Sequence, residues 1–191
     1  MIDYVSKILK DGSVGVLPTD TLYGIVGSAF SKPAVFRIYR LKKRTPTKAC
    51  IVLIGSISEL KKFGVRLTPQ QKKFLDKIWP GPVSVLFKAS SRFRYLHRGT
   101  HEIAFRLPKP TWLRSLLLVT GPLIAPSANY EGVEPAKTMR ETQRHFGYGV
   151  DFYMDGGQLR GKSSTLLGFR NGRIHILREG VNAEKIKKIV F

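Results

Sequence analysis

The chain has 191 residues, a length suited to one domain with a sizeable core, and its hydrophobic content of 42% is ordinary for a folded protein. Lys and Arg number 33 against 13 Asp and Glu, a net charge of +20, which favours a polyanionic partner: RNA, DNA, nucleotide phosphates or an anionic membrane. No apolar run approaches the ~20 residues of a membrane span, the opening MIDYVSKILKDG has no signal-peptide core, and the single Cys50 reads as a buried inert thiol that can form no internal disulfide.

Residues 2–10 read as a short amphipathic helix ended by Asp11-Gly12. VGVLP (14–18) is an apolar strand stopped by Pro18. Residues 32–44 place Val35, Ile38 and Leu41 at a helical period with Arg and Lys between them. CIVLI (50–54) is wholly apolar, as a buried strand requires. Ser56 and Glu59 have the spacing of a capping box opening a helix through Phe63. Thr68-Pro69 starts a helix that runs to about Trp79, where WPGP (79–82) breaks it. VSVLF (83–87) and IAFRLP (103–108) read as strands, 110–118 as a helix and PLIAP (122–126) as a strand. Thr138 with Glu141 caps a helix to Phe146, and DFYMD reads as a further strand. TLLGF and RIHIL pair around Asn171-Gly172, and Asn182 caps a last basic helix. The expected architecture is one α/β domain over 1–191. Its sheet is mixed, with helices joining parallel pairs and an antiparallel hairpin near the C-terminus.

Residues 156–163, GGQLRGKS, match the phosphate-loop pattern G-x-x-x-x-G-K-[ST]. A phosphate loop must run straight into a helix, whose N-terminus and loop amides hold the phosphates. Here the chain continues as STLLGFRNGRIHILREG, β-branched, apolar and interrupted by a hairpin turn. The context therefore rejects a P-loop, although a basic, glycine-rich loop can border an anion in another fold.

Four stretches carry candidate chemistry. LPTDTLYG (17–24) ends a strand and offers the hydroxyls of Thr19 and Thr21, which share a face if the chain stays extended; its bland reading is a turn capped by Asp20. LKKRTPTK (41–48) clusters Lys42, Lys43, Arg44 and Lys48 at a helix end, which suits either the helix dipole or phosphate oxygens. IAPSANYEG (124–132) ends an apolar strand in Ser127 and Asn129, where sites of α/β sheets gather. The fourth is GKSSTLLG (161–168), with LREG (177–180) after it. His97, His101, His145 and His175 form no metal-binding spacing. No nucleophile elbow or Cys–His–Asn set is present, so a reaction here proceeds by orientation and electrostatics rather than a protein nucleophile.

In this order the stretches resemble the YrdC-like family, the threonylcarbamoyl-AMP synthases of the TsaC type. The matching pieces are PTDTLYG, the Lys-x-Arg of Lys42 and Arg44, WPGPVSVLF, AFRLP, PSANYEG, DGG with SSTLL after it, and LREG, together spanning about residues 14 to 180. Each is weak alone; six or more in register are specific. The resemblance implies a twisted open α/β sheet with flanking helices around a concave basic cavity. It also implies synthesis of threonylcarbamoyl-AMP and pyrophosphate from ATP, L-threonine and bicarbonate or CO2, with Mg2+ on the triphosphate. Partner proteins then move the threonylcarbamoyl group to tRNA, in the cytoplasm.

By position, the resemblance puts Thr19, Thr21 and Tyr23 at the threonine end of the cavity, with Arg106 on the threonine carboxylate and Ser164 nearby. It puts Lys42 and Arg44 on the triphosphate as the catalytic cations, with Lys48 beside them. Ser127, Asn129 and Arg178 fall at the nucleotide. Two departures stand out: Thr45 precedes Pro46 where the family often has Pro directly after Lys-x-Arg, and the next strand begins at Ala49-Cys50 instead of Pro-Leu or Gly-Leu. The chain resembles the short form without the extra C-terminal domain. Two other readings remain open: a double-stranded RNA or tRNA binder using the same concave face, and a carbamoyl-transfer domain of hydrogenase-maturation type. The latter normally accompanies zinc-finger-like and acylphosphatase-like segments that have no counterpart here.

Overall fold

The computed structural model describes residues 2–190. Nine strands form one mixed sheet in the order β7-β1-β2-β6-β3-β5-β4-β8-β9. The strands are β1 (Gly15–Pro18), β2 (Tyr23–Ser28), β3 (Ile51–Leu53), β4 (Val83–Lys88), β5 (Glu102–Arg106), β6 (Leu123–Ile124), β7 (Phe152–Tyr153), β8 (Thr165–Arg170) and β9 (Arg173–Arg178). The pairs β1·β7, β3·β5 and β4·β8 are parallel; the other neighbours are antiparallel. The C-terminal hairpin turns at Asn171 and Gly172, both in the left-handed region (φ 52° and 74°), as an Asn-Gly pair favours.

Strand alternation divides the apolar side chains between two layers. Val16, Ile25, Val52, Ile54, Val85 and Phe105 face α2 (Lys32–Leu41), α3 (Pro69–Ile78) and a 3-10 segment (Ile57–Phe63). Leu17, Val26, Leu53 and Leu123 face α1 (Ile2–Lys10) and α5 (Thr111–Thr120), through Val5, Leu9, Leu113, Leu116 and Leu117. Each fully buried leucine of α5 contributes on the order of 2 kcal/mol of apolar transfer. No side chain of β4, β5 or β8 joins this second cluster, so that end of the face is left uncovered. The functional site lies there.

Helix starts follow the sequence in most places. Thr68 makes the full reciprocal capping box with Gln71, and Ser31 and Thr138 accept from Ala34 and Glu141 backbone N–H groups. Ser56 does not cap. Glu59 instead accepts from the Gly55 N–H at 2.7 Å, and the segment winds as a 3-10 helix. Helix α2 stops at Leu41, short of the expected residue 44, because Lys43 turns to φ 50°. Strand β2 and the short helix α4 (Arg94–His97) go beyond the elements expected from sequence. The remaining helices are α6 (Met139–Phe146) and α7 (Ala183–Val190), the latter preceded by Asn182 at φ 60°. No helix of the described residues is long and apolar enough to cross a membrane.

Candidate active site

A cavity of about 510 Å³ opens over the uncovered face. Its floor alternates as a strand must: Ser84 and Leu86 from β4, Glu102, Ala104 and Arg106 from β5, and Leu166 from β8. Its rim is made by the β1–β2 turn, Arg44 with Cys50, Ser127 at the end of β6, and Ser164 with Arg178.

The β1–β2 turn is tightly built. Thr19 Oγ1 donates to the Leu22 carbonyl at 2.7 Å and lies 3.1 Å from Thr21 Oγ1. The two hydroxyls therefore share a turn rather than an extended face. Arg106 reaches both, with Nη1 donating to Thr21 Oγ1 at 3.0 Å and Nη2 to Thr19 Oγ1 at 3.3 Å. The Asp20 carboxylate lies 3.3 Å from Nη2, and both side chains of the pair are buried. Burial pulls the Arg106 pKa down from its ordinary value, and Asp20 opposes that shift. The Nε of Arg106 has no hydrogen-bond partner, which leaves one donor of a cavity-lining cation unused.

Tyr23 lines the cavity and ties down the glycine-rich loop. Its hydroxyl donates to the Gly157 carbonyl at 2.8 Å, stands 3.1 Å from Asp155 Oδ1 and accepts from the Gly156 N–H at 2.8 Å. The loop that resembles a P-loop runs into strand β8, with no helix after it. A Cβ on Gly156 would strike Pro18, and one on Gly161 would lie 2.0 Å from the Thr21 carbonyl oxygen. These glycines serve close backbone packing, and Lys162 is exposed.

The cation segment departs from expectation. Lys42 is not an exposed helix-end cation: it is 1% exposed, directly after α2, four residues from Ile38 on the buried stripe. Its Nζ donates to the carbonyls of Ser127 (2.5 Å) and Asn129 (2.7 Å). Burial, only partly opposed by neighbouring charge, pulls its pKa down to about 8. Asn129 likewise turns inward, its Nδ2 donating to the carbonyls of Tyr130 and Val133. Lys42 and Asn129 therefore hold the turn from beneath, and Ser127 is the member of the trio on the cavity wall.

Arg44 does line the cavity, steadied by its bonds to the Lys48 and Ala49 carbonyls at 3.1 and 2.9 Å. Lys48 sits outside, paired at 2.6 Å with Glu131. Glu131 also accepts from the Thr45 N–H at 2.5 Å, and these two donors hold its carboxyl down at about 2. It thereby fastens the Arg44 loop to the end of PSANYEG. On the other wall, Arg178 Nη2 donates to the Ser164 carbonyl at 2.9 Å and stands 3.3 Å from its hydroxyl. Burial of its head and then the Arg44 charge pull the Arg178 pKa down. Neither Arg44 nor Arg178 has a carboxylate partner among the described residues.

Sequence reasoning missed Ser84, Glu102 and Cys50 as lining residues. Ser84 is 1% exposed and meets the Ser164 hydroxyl at 2.8 Å. A lone hydroxyl at the centre of VSVLF is the signal that could have found it, since a strand buried on both faces has no use for one. Glu102, the carboxylate of the described lining, is held by Arg170 through two bonds of 2.7 and 2.8 Å. Among the described residues no cluster of three or more His, Cys, Asp or Glu could hold a metal ion.

Known proteins share this fold. The Sua5/YciO/YrdC family model, described as telomere recombination, matches residues 7–180. The chain belongs to this family. It is 36% identical over 145 residues to the threonylcarbamoyl-AMP synthase of Methylobacillus flagellatus, covering 75% of this chain and 81% of that protein. It is 34% identical over 152 residues to the synthase of Hahella chejuensis, covering 78% and 83%. The structure of Pyrococcus abyssi Sua5 complexed with L-threonine matches with a TM-score of 0.91 at 26% identity; 99% of this chain spans 57% of that longer one.

Proposed function

We propose that this protein is a threonylcarbamoyl-AMP synthase that serves threonylcarbamoyladenosine modification of tRNA. The observation that carries this reading is the pairing of Arg44 and Arg178 across one cavity. Both are free of carboxylates among the described residues, and hydroxyls of Ser84, Ser127 and Ser164 line the same walls. Such a site is short of negative charge, and a nucleoside triphosphate supplies it.

In the reaction, the threonine amine nitrogen adds to the carbon of CO2 and loses one proton, giving a carbamate; when bicarbonate is the source, that proton leaves with the bicarbonate hydroxyl as water. A carbamate oxygen then bonds to the α-phosphorus of ATP, and the bond from that phosphorus to pyrophosphate breaks. No protein nucleophile is needed. Arg44 and Arg178 face the phosphates and offset charge growing on the leaving pyrophosphate, each worth about 10²–10³ in rate. Ser127 contacts the nucleotide. Thr19, Thr21, Ser84 and Ser164 bound the threonine end, with Arg106 as the cation for the substrate carboxylate. Lys42, Asn129, Lys48 and Tyr23 act by positioning the turn and loops. Magnesium would arrive with the triphosphate and help offset its charge. One sheet running from β7 to β9 supports a single-domain reading. The downstream partners are proteins that pass the threonylcarbamoyl group to tRNA, in the cytoplasm.

The test is pyrophosphate release from ATP and bicarbonate with and without L-threonine, the other amino acids serving as controls. Release that depends on threonine is expected. No release, or release indifferent to the amino acid, would overturn the reading.

A further inference from the structure

On the far side of the Arg44 loop lies a second, unassigned depression of about 540 Å³. Its walls are Lys32, Phe36, Arg92, Arg94, Tyr95 and Arg98. Its edge is Pro46 and Thr47, which follow the cavity-lining Arg44 in the same loop. Two walls thus share one loop, with the synthase cavity on one side and this groove on the other.

The groove combines bare cations with one exposed ring, Phe36, and one half-buried ring, Tyr95. Lys32, Arg92 and Arg94 are exposed, and none has a carboxylate partner among the described residues. No acidic residue lines the depression among the described residues. Phe36, on the outer face of α2, is 49% exposed. Tyr95 is pinned by a 2.9 Å bond from its hydroxyl to the Ala29 carbonyl, so its ring is fixed. Lys32 Nζ stands 5.6 Å from the centre of the Tyr95 ring, and Arg98 lies 5.6 Å from that of Phe36 and 4.4 Å from that of Tyr39. Arg98 also donates to the carbonyls of Pro46 and Tyr95, which makes it a wall of the groove rather than a free charge.

A folded chain gains nothing from four cations gathered without a counter-charge, because their mutual repulsion opposes folding. Rings placed between cations match a ligand that alternates flat π faces with anions. Single-stranded nucleic acid has that form: bases stack on aromatic side chains, and phosphates meet lysine and arginine. An acidic peptide supplies anions but no flat ring on every anionic repeat, and a membrane surface is too flat to enter a groove.

We propose that this groove binds an unpaired RNA segment, with a base on Phe36 or Tyr95 and phosphates on Lys32, Arg92 and Arg94. The choice of RNA over DNA rests on the synthase reading above, since the product of that reaction is destined for tRNA. Bound there, the RNA lies against the outer wall of the loop that carries Arg44.

The experiment measures binding of a fluorescently labelled 12-nucleotide single-stranded RNA, a length of about one site, to the full chain over a range of salt. Comparison probes are the same sequence as DNA, a duplex RNA, and vesicles containing anionic lipid. Phe36→Ala is expected to weaken RNA binding about tenfold, the loss of one stacked base. Arg92→Gln with Arg94→Gln is expected to lower the slope of log affinity against log salt by about 1.4, from ~0.7 for each single-strand phosphate contact. Lys72→Gln with Lys73→Gln on α3 removes the same charge elsewhere and is expected to change neither. Equal losses in the α3 variant would reduce the effect to diffuse charge and overturn the groove. So would tighter binding of duplex indifferent to Phe36, of DNA, or of vesicles. Threonine-dependent pyrophosphate release, measured on every variant, is expected to stay at the wild-type level. If the wild type releases none while the RNA results hold, the synthase reading fails and the groove stands; the reverse pattern fails the groove alone.

Discussion

Two basic stretches border the cavity, KKRTPTK (42–48) and DGGQLRGKS (155–163), and only the first turns a cation into it. In the first, burial of Lys42 under the Ser127–Asn129 turn and the clasp of Glu131 on Thr45 and Lys48 leave Arg44 facing inward. In the second, Tyr23 grips Gly156 and Gly157, Gly161 packs on the Thr21 carbonyl, and Lys162 is left in solvent. A short motif match alone would favour the second stretch as a phosphate binder. Direction is set by the backbone anchors, which composition does not describe.

The contrast breaks most readily at Arg44. Arg44→Ala should lower threonine-dependent turnover by about 10²–10³, measured as pyrophosphate release, with thermal stability little changed. A variant within about threefold of wild type would remove Arg44 from the phosphates. Lys42 should report through pH instead. Its pKa falls from 10.5 to about 8 on folding, so between those values the unfolded chain binds the extra proton and stability rises with pH. Relative to Lys42→Met, the wild type should gain on the order of 3 kcal/mol across that window in denaturant unfolding. Parallel curves for the two proteins would mean that the Lys42 ammonium is not buried.

Next comes the loop. Gly161→Ala places a methyl 2.0 Å from the Thr21 oxygen and should cost on the order of 1–3 kcal/mol in unfolding experiments, with a matching fall in turnover. Glu131→Ala should raise the KM for ATP about fivefold, and Glu131→Gln, which keeps an acceptor for Thr45, should restore part of it, the size expected of an exposed pair. Lys162→Ala should change turnover less than about twofold, since a side chain in solvent contributes within the noise of surface substitutions. A Lys162 variant as poor as the Arg44 variant would restore the phosphate-loop reading.

Much of this is legible in the residues, and the exceptions have causes. CIVLI and VSVLF read as strands because buried β positions leave apolar runs, and Asn171-Gly172 marks the hairpin because its turn needs positive φ. Strand β2 escapes because YGIVGS carries two glycines, and neighbours fill their side-chain space: Ala34 and Ile38 crowd Gly27, and Thr19 crowds Gly24. The burial of Lys42 is visible in principle, at four residues from Ile38, but a lysine is read as surface unless its partners are known. Those partners are the backbone carbonyls of Ser127 and Asn129, more than eighty residues away. The same limit hides the Asp20–Arg106 pair and the Ser84–Ser164 contact, which exist only once the sheet is assembled.

The most direct test of the account is the fate of carbon from labelled bicarbonate, tracked by chromatography with ATP and L-threonine present. The account predicts label in a nucleotide product that needs both ATP and L-threonine, is made by the wild type and Lys162→Ala, and is lost in Arg44→Ala. Label absent from the nucleotide fraction, or present without threonine, would contradict it.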